Sequence, residues 1–217
     1  MLRKLNSLVI PAAVLTSMLL IATVVGPASA ASKPQFQSSV IKHLSTKWWQ
    51  WAFSIPAGEN PISDDSGKNC EKGDMGKLFF LAGTTGGSAT RECTVSHKQA
   101  ILVPILVNEC STLEGNGKTP KELKACNKAI IDKVSHVEIQ LDGVDIPPAR
   151  ILSPPFKLKV IEDNVFNVPN SGTTLSVAEG YWVLLKPLSI GSHTIHFKGS
   201  IEEFNFVVEV TYNLNVT

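Results

Sequence analysis

Two kinds of apolar spacing divide the chain. Over Ser38 to Ile55, SSVIKHLSTKWWQWAFSI, apolar residues recur at helical intervals. At about 100° per residue, Ile41, Leu44, Trp48, Trp51, Ala52 and Ile55 share one stripe. Trp49 and Phe53 lie four apart on a second face beside Lys42. Ser38 and Ser39 suit the start of this helix, and Pro56 ends it. A second helix is predicted over TPKELKACNKAIIDKV. There Thr119 is the N-cap, Pro120 takes the first helical position, and Glu122 completes a capping box.

Elsewhere the spacing is that of strands. Candidates are KLFFLAG (77–83), RECTV (91–95), AILVPILV (100–107), VEIQL (137–141), FKLKV (156–160), VFNV (165–168) and TLSV (174–177). Pro104 inside AILVPILV marks a bulge or an edge, because proline donates nothing to a ladder. Asp142-Gly143 signals a hairpin turn. IPPARILSPP, with four prolines, reads as irregular. GYWVLLK (180–186) is apolar on both faces, as a strand covered on both sides must be. The chain closes with HTIHFKGSI and FNFVVEVTYNLNV around Glu202-Glu203. In the last strand Phe204, Phe206, Val208, Val210, Tyr212, Leu214 and Val216 alternate without a fault. Short strands between regular turn signals predict a mainly β fold, an immunoglobulin-like or jelly-roll β-sandwich. It carries an N-terminal amphipathic helix and one inserted helix.

The first 30 residues change the picture. Arg3 and Lys4 precede a largely apolar run that ends in Ala28-Ser29-Ala30. This is the pattern of an export signal cut after Ala30. The alternative is an uncleaved anchor over residues 5–25, and only then is a membrane a partner. Cleavage leaves one domain, residues 31–217, with 18 basic and 19 acidic residues. No basic block is present, so nucleic acid is not an expected partner. Cys70, Cys93, Cys110 and Cys126 are an even set in an exported chain and read as two disulfides. Of three possible pairings, Cys70–Cys93 and Cys110–Cys126 are favoured because each closes a short loop. Each contributes roughly 3 kcal/mol in the loop-entropy picture.

Several stretches together resemble a family of exported microbial proteins that carry no assigned activity. They are W-W-x-W-A-x-S-I-P-x-x-x-N-P from Trp48 to Pro61 and D-x-x-G-x-x-C from Asp64 to Cys70. F-L-A-G (Phe80–Gly83), R-x-C-T-V (Arg91–Val95) and L-K-P-L-x-x-G-x-H-T-I-H-F (Leu185–Phe197) complete the set. The resemblance implies export, these cysteine positions and a single folded unit. It brings no catalytic residues. The chain departs from the family pattern at Ser96-His97-Lys98-Gln99, where a Gly-Lys pair is usual.

Reactive motifs are sparse. There is no C-x-x-C pair for redox or zinc chemistry. The histidines are His43, His97, His136, His193 and His196, without H-E-x-x-H spacing. On a strand His193 and His196 face opposite ways. Asp64 to Asn69 offers oxygen ligands but lacks the order of an EF-hand loop. Gly86 to Thr90 lacks the second glycine of a nucleophile elbow. No catalytic residue, metal site or cofactor is assigned. The expected function is an exported binding or structural module of the cell exterior, with an envelope or matrix polysaccharide or protein as partner. Trp49, Phe53 and the loop to Cys70 are its expected contact. The alternatives are an extracellular hydrolase with a site assembled across the fold, and a surface subunit that self-assembles through the edge of its last strand.

Overall fold

The computed structural model describes residues 38–217, so the export signal read from residues 1–30 lies outside the described residues. Helix α1 (Ser38–Ala52) comes first. Strands β1 (Leu78–Phe80), β2 (Gly87–Val95) and β3 (Ala100–Ser111) follow, then helix α2 (Pro120–Ile131). The rest is β: β4 (His136–Leu141), β5 (Val144–Asp145), β6 (Ala149–Leu152), β7 (Phe156–Val160), β8 (Gly172–Leu185), β9 (Gly191–Ile201) and β10 (Phe206–Val216). Among the described residues no helix is long and apolar enough to cross a membrane.

The strands form two five-stranded sheets, a β-sandwich as the alternation predicts. The first runs β1-β3-β8-β6, with β7 pairing further along the same edge of β8. The second runs β2-β10-β9-β4-β5. Period-2 spacing places Ile101, Val103, Val183 and Leu185 of the first sheet against Ile195, Phe197, Val210 and Leu214 of the second. The opposite face of the first sheet is also apolar, with Phe80, Leu102, Ala178, Trp182 and Leu184, and α1 packs on it. This covering on both sides is why GYWVLLK lacks alternation. TLSV and GYWVLL belong to one 14-residue strand, β8, which ends at Leu185.

Local expectations meet tertiary demands at several points. Pro104 does sit at a bulge, where the β3–β8 register slips between Pro104 and Leu106. Asp142 and Gly143 have φ of 52° and 75°, as the β4–β5 hairpin requires. The α2 capping box of Thr119 and Glu122 is formed. Three expectations give way. Phe204, counted in the last strand, falls in the 3-10 turn before β10 and is exposed. Between its proline pairs, Ala149–Leu152 joins β8 as an edge strand, since its own N–H groups are intact. VFNV is a turn in which Asn164 caps the backbone of Val168, with Asn167 at φ 56°. This turn aims Val165, Phe166 and Val168 at α1 instead of a neighbouring strand.

The favoured disulfides are both present. Cys70–Cys93 fastens the loop before β1 to β2, and Cys110–Cys126 fastens α2 to β3. The last strand is not an edge. β10 is hydrogen-bonded to β2 in parallel and to β9 antiparallel along its length. Its backbone groups are already paired, so β10 offers no free edge for another chain to pair with.

Candidate functional site

The tryptophan cluster is the sequence's most conspicuous feature, and the structure makes it core. Trp48 Nε1 donates to Leu81 O at 2.8 Å and Trp51 Nε1 to Lys72 O at 2.7 Å. These bonds tie α1 to the strand and loop beneath it. Trp49 and Phe53 were the expected ligand platform, but they are only 5% and 1% exposed. Phe166 covers them, with ring centroids 5.3 Å from Trp49 and 4.7 Å from Phe53. The second helical face is thus buried by a turn far along the chain, and neither ring is presented to a ligand. All four tryptophans are buried. Their fluorescence is therefore expected to be blue-shifted and resistant to iodide. Quenching of even one tryptophan's share in the folded protein would contradict this packing.

The loop to Cys70, the other half of the expected contact, does border an open site. Asp64 organises it. Its carboxylate accepts from Asn69 N at 2.8 Å and from Ser66 N and Oγ at 3.0 and 2.7 Å. Burial works against the charge, yet these hydrogen bonds hold the Asp64 carboxyl below its ordinary range. Gly67, at φ 89°, lies so close to β2 that a Cβ there would stand 2.2 Å from Glu92 O. Glu92 N donates to Ser66 O at 3.0 Å. Between this loop and the outer face of β2 and β10 runs a groove of about 350 Å³, lined by Glu71, Glu92, Thr94, Asn213 and Asn215.

The groove opens onto the outer face of the second sheet, whose character follows from the register. Thr94 and Ser192 flank Asn215, Glu92 and Thr194 flank Asn213, and Thr90 and His196 flank Thr211. In the next row Lys198 stands between Glu209 and Glu138. Glu209 and Glu138 on this face each have a basic side chain beside them, whereas Glu92 has only an amide. Lys198 Nζ is 3.1 Å from Glu209, His136 Nε2 is 3.1 Å from Glu138, and Asn213 donates to Glu92 at 2.8 Å. The rest of the face is hydroxyl and amide. Among the described residues no α-helix packs on it.

Histidines settle in different environments. His196 points outward, 3.8 and 3.7 Å from Glu138 and Glu209 and 3.1 Å from Thr211. Lys198 already supplies a cation between those carboxylates, which disfavours a metal ion there. Among the described residues no group of three or more His, Cys, Asp or Glu is arranged to hold a metal. His193 points the other way, as the strand spacing required. At the rim of the sandwich it meets Asp142 and Ser189.

Two charged groups that the fold draws inward were not singled out in the sequence. Arg91 lies inside, in line with Ala89, Cys93 and Val95 on the inward face of β2. Glu109, half-buried on β3, lies beside Glu114, and burial together with that neighbour pushes its carboxyl up to about 9. Alternation around Cys93 was the available signal for the first; the second had none. Compared with protein-family models, curated proteins and solved structures, the chain matches none.

Proposed function

We propose that this chain is an exported binding module of the cell exterior, and that its ligand is a neutral, hydroxyl-rich polysaccharide of the envelope or matrix. The observation that carries the reading is the groove between the Cys70 loop and β2, which opens onto a sheet face rich in hydroxyls and amides. Side chains of Thr94, Asn213 and Asn215 both donate and accept, matching sugar hydroxyls. Protein partners are favoured by aromatic anchors at the centre of a patch, and this face has none. The carboxylates of Glu71 and Glu92 in the groove repel an anionic polymer, and the hydroxyls and amides beside them suit a neutral one. Placement outside the cytoplasm is supported by the signal-like start of the sequence and by four cysteines all in disulfides.

Co-sedimentation of the purified protein with insoluble envelope polysaccharide tests the reading. Replacing Asn213 and Asn215 together by alanine is expected to weaken binding by about tenfold or more, the worth of one to two hydrogen bonds. A double variant that binds as well as the parent, or a parent that does not bind, would overturn it.

A further inference from the structure

Where β8 passes to β9, residues 186–190 cross from the first sheet to the second and close one end of the sandwich. There Ser189 Oγ lies 3.1 Å from His193 Nε2, and His193 Nδ1 lies 2.7 Å from Asp142 Oδ2. The carboxylate is held from a separate hairpin. Asp142 Oδ1 accepts from Thr194 N at 2.8 Å, and Asp142 N donates to Thr194 O at 2.8 Å. Both carboxylate oxygens are therefore engaged, and Asp142 cannot swing away from the imidazole. A proton on Nδ1 directed at Asp142 leaves the Nε2 lone pair for the Ser189 hydroxyl, the relation a nucleophile and its base require.

Two further features suit this corner to chemistry. Nε2 is also 3.0 Å from Ser189 O. Once protonated, it can donate to that carbonyl, so a proton taken from the hydroxyl has a place to rest. The second feature is apolar. Ile190 and Val144, 69% and 67% exposed, are the most exposed large hydrophobic side chains among the described residues. Ile190 follows Ser189 directly, and Val144 lies two residues beyond Asp142. Aliphatic side chains left in water on both flanks suit an aliphatic ligand.

We propose that Ser189, His193 and Asp142 form an acyl-transfer site that hydrolyses esters of aliphatic carboxylic acids, with Ile190 and Val144 contacting the acyl chain. Ser189 Oγ attacks the ester carbonyl carbon while His193 Nε2 takes its proton. The bond to the alcohol oxygen breaks, and that oxygen leaves with the proton from Nε2. Water then attacks the acyl-serine, its proton passing through Nε2 to Ser189 Oγ, and the carboxylic acid is released. Asp142 remains ionised throughout and holds the imidazole in the productive tautomer. Ser189 is exposed, so acyl groups carried on a polymer reach it as readily as small esters. The site does not depend on the binding reading above, because small esters suffice to test it.

Two measurements on the purified protein decide the matter. The first is labelling with an alkyl fluorophosphonate, located by peptide mass spectrometry; the second is turnover of p-nitrophenyl butyrate. The label is expected on Ser189. Ser189→Ala and His193→Ala should each lower turnover by about a hundredfold or more while melting as the parent does. The hydrogen bond to Asp142, the charged group facing the imidazole, outweighs partial burial and holds His193 above its ordinary 6.5. Turnover should accordingly rise with pH through an ionisation above 6.5, and Asp142→Asn should move that ionisation down. Ser189 left unlabelled in the folded protein, or equal turnover in parent and Ser189→Ala, would overturn the proposal.

Discussion

Replacing Arg91 by methionine is expected to destabilise the protein by about 3–5 kcal/mol, the scale set by leaving buried partners of a charged group unsatisfied. Arg91 is 1% exposed, yet no carboxylate pairs with it. Its charge is instead dispersed over oxygen acceptors from three separate segments. Nε donates to Asp64 O at 2.6 Å. Nη1 donates to Ala82 O at 2.7 Å and Tyr212 Oη at 2.8 Å. Nη2 donates to Gly83 O at 3.1 Å and Ile62 O at 3.3 Å. The guanidinium thus ties the Asp64 loop, the segment after β1 and the last strand to β2. Methionine fills part of the volume and satisfies none of the carbonyls. For a domain of this size the loss corresponds to about 6–20 °C in Tm. Arg91→Lys should fall between the two, because an ammonium has three donors and no planar fork. A methionine variant melting within about 2 °C of the parent would show that those carbonyls find other partners or water.

The second large effect depends on pH. Burial first, then the hydrogen bond and charge of Glu114, push the Glu109 carboxyl up to about 9, against the opposing hydrogen bond from Ser176. The tight turn after β3 brings the two carboxyls together: Asn116 N donates to Ser111 O, and Ser111 Oγ donates to Glu114 at 2.6 Å. The folded chain therefore keeps a proton that an unfolded chain, with this carboxyl near 4.5, has released. Its contribution to stability is fully present below pH 4.5 and falls as pH rises towards 9, where the folded state loses the proton too. One linked proton corresponds to about 1.4 kcal/mol per pH unit. Refolding at pH 7 should take up about one proton, measurable by calorimetry in buffers of different ionisation enthalpy. Glu109→Gln should keep the hydrogen bonds without titrating. Its Tm is expected to vary less between pH 6 and 9 and to exceed that of the parent at the alkaline end. A variant with the same pH slope as the parent would exclude this pair as the source. At the acid end the trend reverses. Asp64, Asp132 and Asp142, each held below the ordinary carboxylate range by hydrogen bonds, lose their contribution as they protonate.

Much of the architecture was legible in the amino-acid pattern because it is set by neighbours in sequence. The α2 capping box, the Asp142-Gly143 hairpin and the bulge at Pro104 all rest on residues within a few positions of one another. The disulfide pairing followed from short loops. Where strand and turn signals failed, a distant partner had intervened. VFNV has the composition of a strand, but its apolar side chains are drawn out of line to cover α1. The candidate sites were less legible still. Ser189 and His193 are near neighbours, yet nothing in LSIGSH announces Asp142, which arrives from another hairpin. Glu109 and Glu114 look like two solvated acids until a turn folds one onto the other.

The sequence by itself determined which side chains share a face. That is a matter of 3.6- and 2-residue periods, and it placed Trp49 with Phe53 and Val208 with Val210 and Tyr212. Only the tertiary structure decided which faces meet water. Phe166 closes the one over Trp49, while among the described residues no α-helix closes the outer face of the second sheet. Burial is a property of contacts between segments far apart in the chain, and no local period encodes it.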